Sequence, residues 1–140
     1  MEHSVIHVRV LLVEDEDFSH EIVKLYLSNT KYQLISAKSV SEAKNIITSQ
    51  LPDIVITDAM MPGESGFSLI SWMKKNPRTR GIPIILWTMM VEAGGQVMDA
   101  SNSADILMSK PFCHSNILET LEHAEGLIKR QRSLPPLGRG

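Results

Sequence analysis

Five apolar runs alternate with five helix-type patterns along this chain, and that alternation limits the fold more than any other feature. The runs lie at residues 8–13, 32–36, 53–57, 82–87 and 104–109. Three of them, Val10-Leu11-Leu12-Val13, Ile54-Val55-Ile56 and Ile84-Ile85-Leu86-Trp87, are continuously apolar. A strand with one wet face alternates apolar and polar residues; a continuous run marks a strand buried on both faces. Such strands belong to a parallel sheet with helices on either side.

The intervening segments carry helix signals. Asp17 is placed to cap a helix with Phe18, Ile22, Leu25 and Tyr26 at helical spacing. Ser39-Val40-Ser41-Glu42 reads as a capping box before a helix with Ala43, Ile46 and Ile47 inward. Ser65 caps a third, carrying Phe67, Ile70 and Met73, which Asn76-Pro77 stops. A fourth is expected over about residues 91–100, weakened by Gly94-Gly95. The last buries Ile117, Leu118, Leu121, Ala124 and Ile128. Short connections between alternating elements predict a doubly wound, five-stranded parallel sheet of order 2-1-3-4-5 with five helices, a three-layer α/β/α architecture.

At 140 residues and 43% hydrophobic the chain suits one domain, over residues 1–128. Residues 129–140 are basic and rich in proline and glycine, and read as a tail or linker. A formal charge of −2 gives no basic field for nucleic acid. No apolar stretch approaches the roughly 20 residues of a membrane span. The start lacks the basic and apolar regions of a signal peptide, and the lone Cys113 excludes an intrachain disulfide. A soluble, cytoplasmic protein is expected.

Open α/β sheets bind ligands beyond the carboxyl ends of their strands. Four ends here carry chemistry. Glu14-Asp15 closes the first run, Asp58 the third, Thr88 the fourth and Lys110 the fifth. Three carboxylates at one rim repel one another, a conflict that a hard divalent cation such as Mg²⁺ resolves. Asp58 suits a nucleophile that forms an acyl phosphate; Lys110 supplies a mobile cation, and Thr88 a hydrogen bond to a phosphoryl oxygen.

Four segments carry a family resemblance: Val10-Leu11-Leu12-Val13-Glu14-Asp15-Glu16, Asp58-Ala59-Met60-Met61-Pro62-Gly63-Glu64-Ser65-Gly66, Pro83-Ile84-Ile85-Leu86-Trp87-Thr88 and Lys110-Pro111-Phe112. The chain resembles a response-regulator receiver domain, the aspartate-phosphorylated, flavodoxin-like half of two-component signalling. The resemblance spans about residues 8–128. It implies that Asp58 takes a phosphoryl group from the phosphohistidine of a sensor histidine kinase or histidine phosphotransfer protein. It implies Mg²⁺ held by Asp15, Asp58 and the carbonyl of Met60, with Glu14 acting through a water, and a cis Lys110-Pro111 bond. A partner, or a second copy of the chain as a homodimer, is expected to dock on the face of the fourth helix, fifth strand and fifth helix, and neither direct nucleic-acid binding nor a membrane is expected.

Two positions depart from the family pattern. Met89 follows Thr88 where a small residue is usual, and Leu107 stands where an aromatic is usual. Met89, with Met60 and Met90, is expected to cover Asp58 and slow small phosphodonors. Leu107 has no ring to swing, so the switch is expected to rest on Thr88, Lys110 and residues 91–102.

Plainer readings exist for each part. Asp58 before Met-Pro-Gly is an ordinary turn residue, and Glu14–Asp17 an ordinary acidic helix start. His114 and His123 lack metal-ligand spacing and read as surface residues, while Trp72 and Trp87 read as packing residues. Among rival functions, a flavin-binding flavodoxin needs a hydroxyl-rich phosphate loop where this chain has acids. An aspartate-nucleophile phosphatase resembles Asp-x-Asp, and here the second position is Met60. The remaining alternative is a phosphorylation-independent pseudo-receiver that acts only as an interaction module.

Overall fold

A computed structural model of the chain describes residues 7–88, 104–109 and 114–133, without the side chains of Thr88 and of residues 129–133. The elements are β1 (Val8–Val13), α1 (Asp17–Leu27), β2 (Tyr32–Ala37), α2 (Val40–Gln50), β3 (Ile54–Asp58), α3 (Gly66–Lys75), β4 (Ile84–Thr88), β5 (Ile106–Ser109) and α4 (His114–Ser133). All strands are parallel, in the order β2-β1-β3-β4-β5, as expected. Four helices lie among the described residues. The helix expected over residues 91–100 lies outside them, as do Met89, Met90, Lys110, Pro111 and Cys113.

Strand parity divides the interior in two. Leu11, Val13, Val55, Ile84 and Leu86 join Ala43 and Ile47 of α2 and Leu69, Ile70 and Met73 of α3. Val10, Leu12, Ile54, Ile56, Ile85, Trp87 and Met108 pack with Val23 and Leu27 of α1 and Ile117, Leu121 and Ala124 of α4. Every residue of β3 is buried, which is why its sequence shows no alternation.

Helix starts follow local hydrogen bonding. The Ser39 hydroxyl accepts from the Glu42 N–H at 3.0 Å, and the Glu42 carboxylate accepts from the Lys38 N–H at 2.8 Å. The expected box is thus present, with its return arm one residue outside the cap. Ser65 accepts from the Ser68 N–H at 3.3 Å, as expected. Asp17 does not cap α1: Glu16 occupies the cap position without a side-chain bond, and Asp17 instead pairs with Lys38.

The rotation of α1 also departs from expectation. His20, Val23 and Leu27 form its buried stripe, while Phe18 and Leu25 are each 69% exposed. Ile22 and Tyr26 of the expected stripe are half-buried, Tyr26 against the core. On the inward side His20 bonds the main chain after β1 and the side chain of Ser36 on β2.

Strands β4 and β5 begin two residues later than expected. Pro83 has no N–H and only accepts, from Val55 at 3.1 Å. The Ile84 N–H goes to the Asp105 carboxylate at 2.8 Å, so the ladder to β5 starts at Ile106. At the far end, α4 continues through Ser133, past the boundary expected after Ile128.

Tyr32 links β2 to α4: its hydroxyl donates to Glu125 at 3.0 Å, and Lys31 pairs with the same carboxylate at 2.9 Å. Burial, then the Glu125 bond, raises the Tyr32 phenol above its ordinary value. A raised folded value means that this stability is fully present below about pH 10 and is lost as pH climbs through that region. Tyr32→Phe is expected to destabilise the protein by about 1–2 kcal/mol near neutral pH. The gap to wild type should narrow above about pH 10. Denaturant unfolding of both proteins on either side of that pH checks this, and a constant gap would contradict it.

Candidate functional site

The register brings the carboxyl ends of the strands level. Val13 pairs with Thr57, Asp58 with Trp87, and Thr88 with Ser109. Asp58 is the last residue of β3, one residue further along the strand than expected. Glu14 and Asp15 follow β1 directly. One carboxylate oxygen from each of Glu14, Asp15 and Asp58 lies within 4.8 Å of the other two. Glu14 and Asp58 are buried and Asp15 is exposed, so the cluster opens to solvent on the Asp15 side.

Two of the three acids, Glu14 and Asp58, have main-chain hydrogen bonds that hold them. The Glu14 N–H donates to Ala37 O at 3.0 Å, and its carbonyl lies 2.7 Å from His20 Nε2. Its Oε2 accepts from the Glu16 N–H at 3.2 Å. Asp58 Oδ1 accepts from the Met60 N–H at 3.3 Å, while the Met60 side chain is exposed. The Thr57 hydroxyl donates to Asp58 O at 3.0 Å.

The loop from β3 to α3 is held at both ends. Gly63 sits at φ 80°, where a side chain is strained. The Gly66 N–H donates to Ala59 O at 3.0 Å, and a Cβ at Gly66 would stand 2.0 Å from Asp58 O. Only glycine lets α3 begin this close to the strand. Lys44 of α2 reaches Glu64 at 3.2 Å while lying 5.6 Å from the Trp72 ring centre, and Ser68 donates to the same carboxylate at 3.0 Å. The Lys44 bond, then that of Ser68, holds the Glu64 carboxyl below its usual range. The pair is exposed and adds little stability.

The structure thus brings together Glu14, Asp15 and Asp58. It sets Thr88 at the end of β4, in register with Ser109, the residue before Lys110. Lys110 lies outside the described residues. His114 and His123 are exposed, with the His114 ring 5.2 Å from that of Tyr26. Trp87 is buried and Trp72 half-buried against the core, as expected of packing residues. Two contributors went unread in the sequence, Gly66 and His20. His20 shares the spacing of Val23 and Leu27, the one available signal that it faces inward.

Three carboxylates converging from two strand ends form a hard, all-oxygen donor set. Such a set suits Mg²⁺ and offers nothing to a soft metal.

Comparison with known proteins agrees with this geometry. The family profile of the response regulator receiver domain matches residues 10–122. The phosphate regulon transcriptional regulatory protein PhoB of Escherichia coli K12 is 31% identical over 114 residues, covering 81% of this chain and 50% of PhoB. The response regulator PleD of Caulobacter vibrioides is 30% identical over 104 residues, 74% of this chain and 23% of PleD. The chain therefore spans about half the length, or less, of these curated relatives. A putative response regulator from Chloroflexus aurantiacus superposes with a TM-score of 0.79 at 26% identity, covering 86% of this chain and 98% of that one. The receiver domain of a signal transduction histidine kinase from Syntrophus aciditrophicus gives 0.76 at 28% identity, covering 93% and 96%. The fold is the flavodoxin-like α/β type, with an acidic cluster at the carboxyl edge of its sheet. The chain belongs to the response regulator receiver domain family.

Gly66→Ala is expected to lose about 3 kcal/mol, because the clash is with main chain that cannot swing away. Gly126→Ala, in open space on α4, should instead gain about 0.5–1 kcal/mol. Urea unfolding of both variants checks the contrast; a Gly66→Ala loss no larger than a few tenths would contradict the packing described.

Proposed function

We propose that Asp58 accepts a phosphoryl group from the phosphohistidine of a sensor histidine kinase or histidine phosphotransfer protein, in a Mg²⁺-dependent reaction that switches partner binding. Receiver domains are signalling domains, not classical enzymes, and work with such kinases and transfer proteins. The observation that carries the reading for this chain is the convergence of Glu14, Asp15 and Asp58.

In this reading one carboxylate oxygen of Asp58 bonds to phosphorus as the phosphorus–nitrogen bond of the donor breaks. The imidazole nitrogen keeps the electron pair, and the product is an acyl phosphate. Asp15, Asp58, the Met60 carbonyl and Glu14 are the residues assigned to Mg²⁺, Glu14 through a water. The bound ion would offset negative charge among the carboxylates and phosphoryl oxygens. Lys110 supplies the protein's own positive charge, and Thr88 donates a hydrogen bond to a phosphoryl oxygen. The Met60 N–H on Asp58 Oδ1 and the glycine contact at Asp58 O hold the nucleophile in place beforehand.

The partner side is proposed on the same footing. The switch would be read by a partner, or by a second copy of the chain, at the face of residues 91–100, β5 and α4. Residues 129–140 are assigned to a tail or linker, of which 129–133 continue α4. No helix among the described residues is long and apolar enough to cross a membrane.

Two measurements test this function. Wild type incubated with Mg²⁺ and acetyl phosphate should gain one phosphoryl group by intact-mass spectrometry, and Asp58→Asn should gain none. Equal incorporation removes Asp58 from the chemistry; no incorporation from acetyl phosphate or a phosphorylated kinase favours the pseudo-receiver alternative.

Mg²⁺ titration addresses the ligands. Asp15→Ala should weaken binding more than Glu14→Ala, since a direct ligand counts for more than a water-bridged one. In metal-free buffer Asp15→Ala should stabilise the protein by about 1 kcal/mol, through relief of repulsion at the separations found here. Unchanged Mg²⁺ affinity in Asp15→Ala would sink the assignment.

A further inference from the structure

We infer that His20 is a positioning residue for the metal-binding acids, acting through the main chain of Glu14; the inference rests on the Mg²⁺ reading of the site. His20 lies in the first turns of α1, is 7% exposed, and its ring nitrogens meet a main-chain carbonyl and a hydroxyl. Its Nε2 lies 2.7 Å from Glu14 O and its Nδ1 2.9 Å from Ser36 Oγ. A carbonyl oxygen can only accept, so the proton sits on Nε2 and points at Glu14 O. In the neutral ring Nδ1 is then an acceptor, and the Ser36 hydroxyl donates to it.

That bond completes a clamp. The Glu14 N–H is already held by Ala37 O at 3.0 Å, from β2. With the carbonyl held from α1, the peptide between Glu14 and Asp15 is restrained, which places the nitrogen and Cα of Asp15. The next peptide is held by its Glu16 N–H on Glu14 Oε2 at 3.2 Å, which limits rotation about Asp15 and so restrains its Cα–Cβ direction. Asp15 is exposed, so packing does little to aim its carboxylate, and the main chain has to. Residues that orient metal ligands from behind typically alter affinity about 10–100-fold when removed.

Side-chain replacements separate this role from simple packing. Gln places its amide nitrogen near the position of Nε2, whereas Asn reaches only as far as Nδ1. Mg²⁺ titration by calorimetry should find His20→Gln within about twofold of wild type and His20→Asn weaker by about tenfold. Thermal melts of the metal-free proteins would report packing, and both variants should lose comparable stability there. Long-range proton–nitrogen NMR of metal-free wild type should show the His20 proton on Nε2.

A proton on Nδ1 with Nε2 bare overturns the inference, and so does equal Mg²⁺ affinity in His20→Asn and wild type. If His20→Asn fails to fold, His20→Gln and the NMR measurement still decide, since tenfold weaker binding in a folded His20→Gln protein also counts against it. Failure of wild type itself to bind Mg²⁺ is a different result: it removes the metal reading of the acids, while the tautomer measurement continues to judge the clamp.

Discussion

A parallel sheet covered on both faces has no room for charge except at its ends, and this constraint organises the rest of the structure. The interior of β3 is wholly buried, as are Val10 through Val13 of β1. Ionised groups in those positions would face desolvation without partners. Acids can therefore stand only where the strands stop. Because the strands are parallel and in level register, their stops coincide, and Glu14, Asp15 and Asp58 meet at one edge. The core needs the edge as an outlet for polarity, and the edge needs the core as a rigid frame.

The acids crowd one another, so something has to hold them there. Much of the holding is done by main-chain contacts. Glu14 is fixed through its N–H and carbonyl, Asp58 through its carbonyl and the Met60 N–H. Such contacts restrict how far the acids can turn apart. Unfavourable charge proximity before a ligand arrives is a form of stored free energy, recovered when a cation neutralises it.

Much of this was legible in the sequence, for physical reasons. Continuous apolar runs cannot be surface strands, so sheet class and strand order followed from them together with the short connections. Acids placed straight after such runs had to lie at strand ends. What escaped were features carried by the main chain or by one histidine. The starts of β4 and β5 moved because Asp105 takes the Ile84 N–H, a long-range bond with no local signature. The rotation of α1 was misread because Phe18, Ile22 and Leu25 make a more apolar stripe than His20, Val23 and Leu27. The inward stripe instead carries His20 with its two hydrogen bonds. Gly66 escaped because its role is a distance, visible only once α3 is set beside Asp58.

The full burial of β3 also bears on how its alignment is chosen. In a strand with one wet face, slipping by a single residue throws apolar side chains into water and is rejected at once. A slip in β3 would only exchange one oily layer for the other, since Ile54, Val55 and Ile56 suit either. Discrimination therefore falls to the polar residues that bracket it. Asp53 accepts from the Arg9 N–H at 2.8 Å at one end, and Asp58 meets the close-packed Gly66 at the other. One acid at each end thus acts as a stop on a ruler, telling an otherwise indifferent strand where it begins and ends.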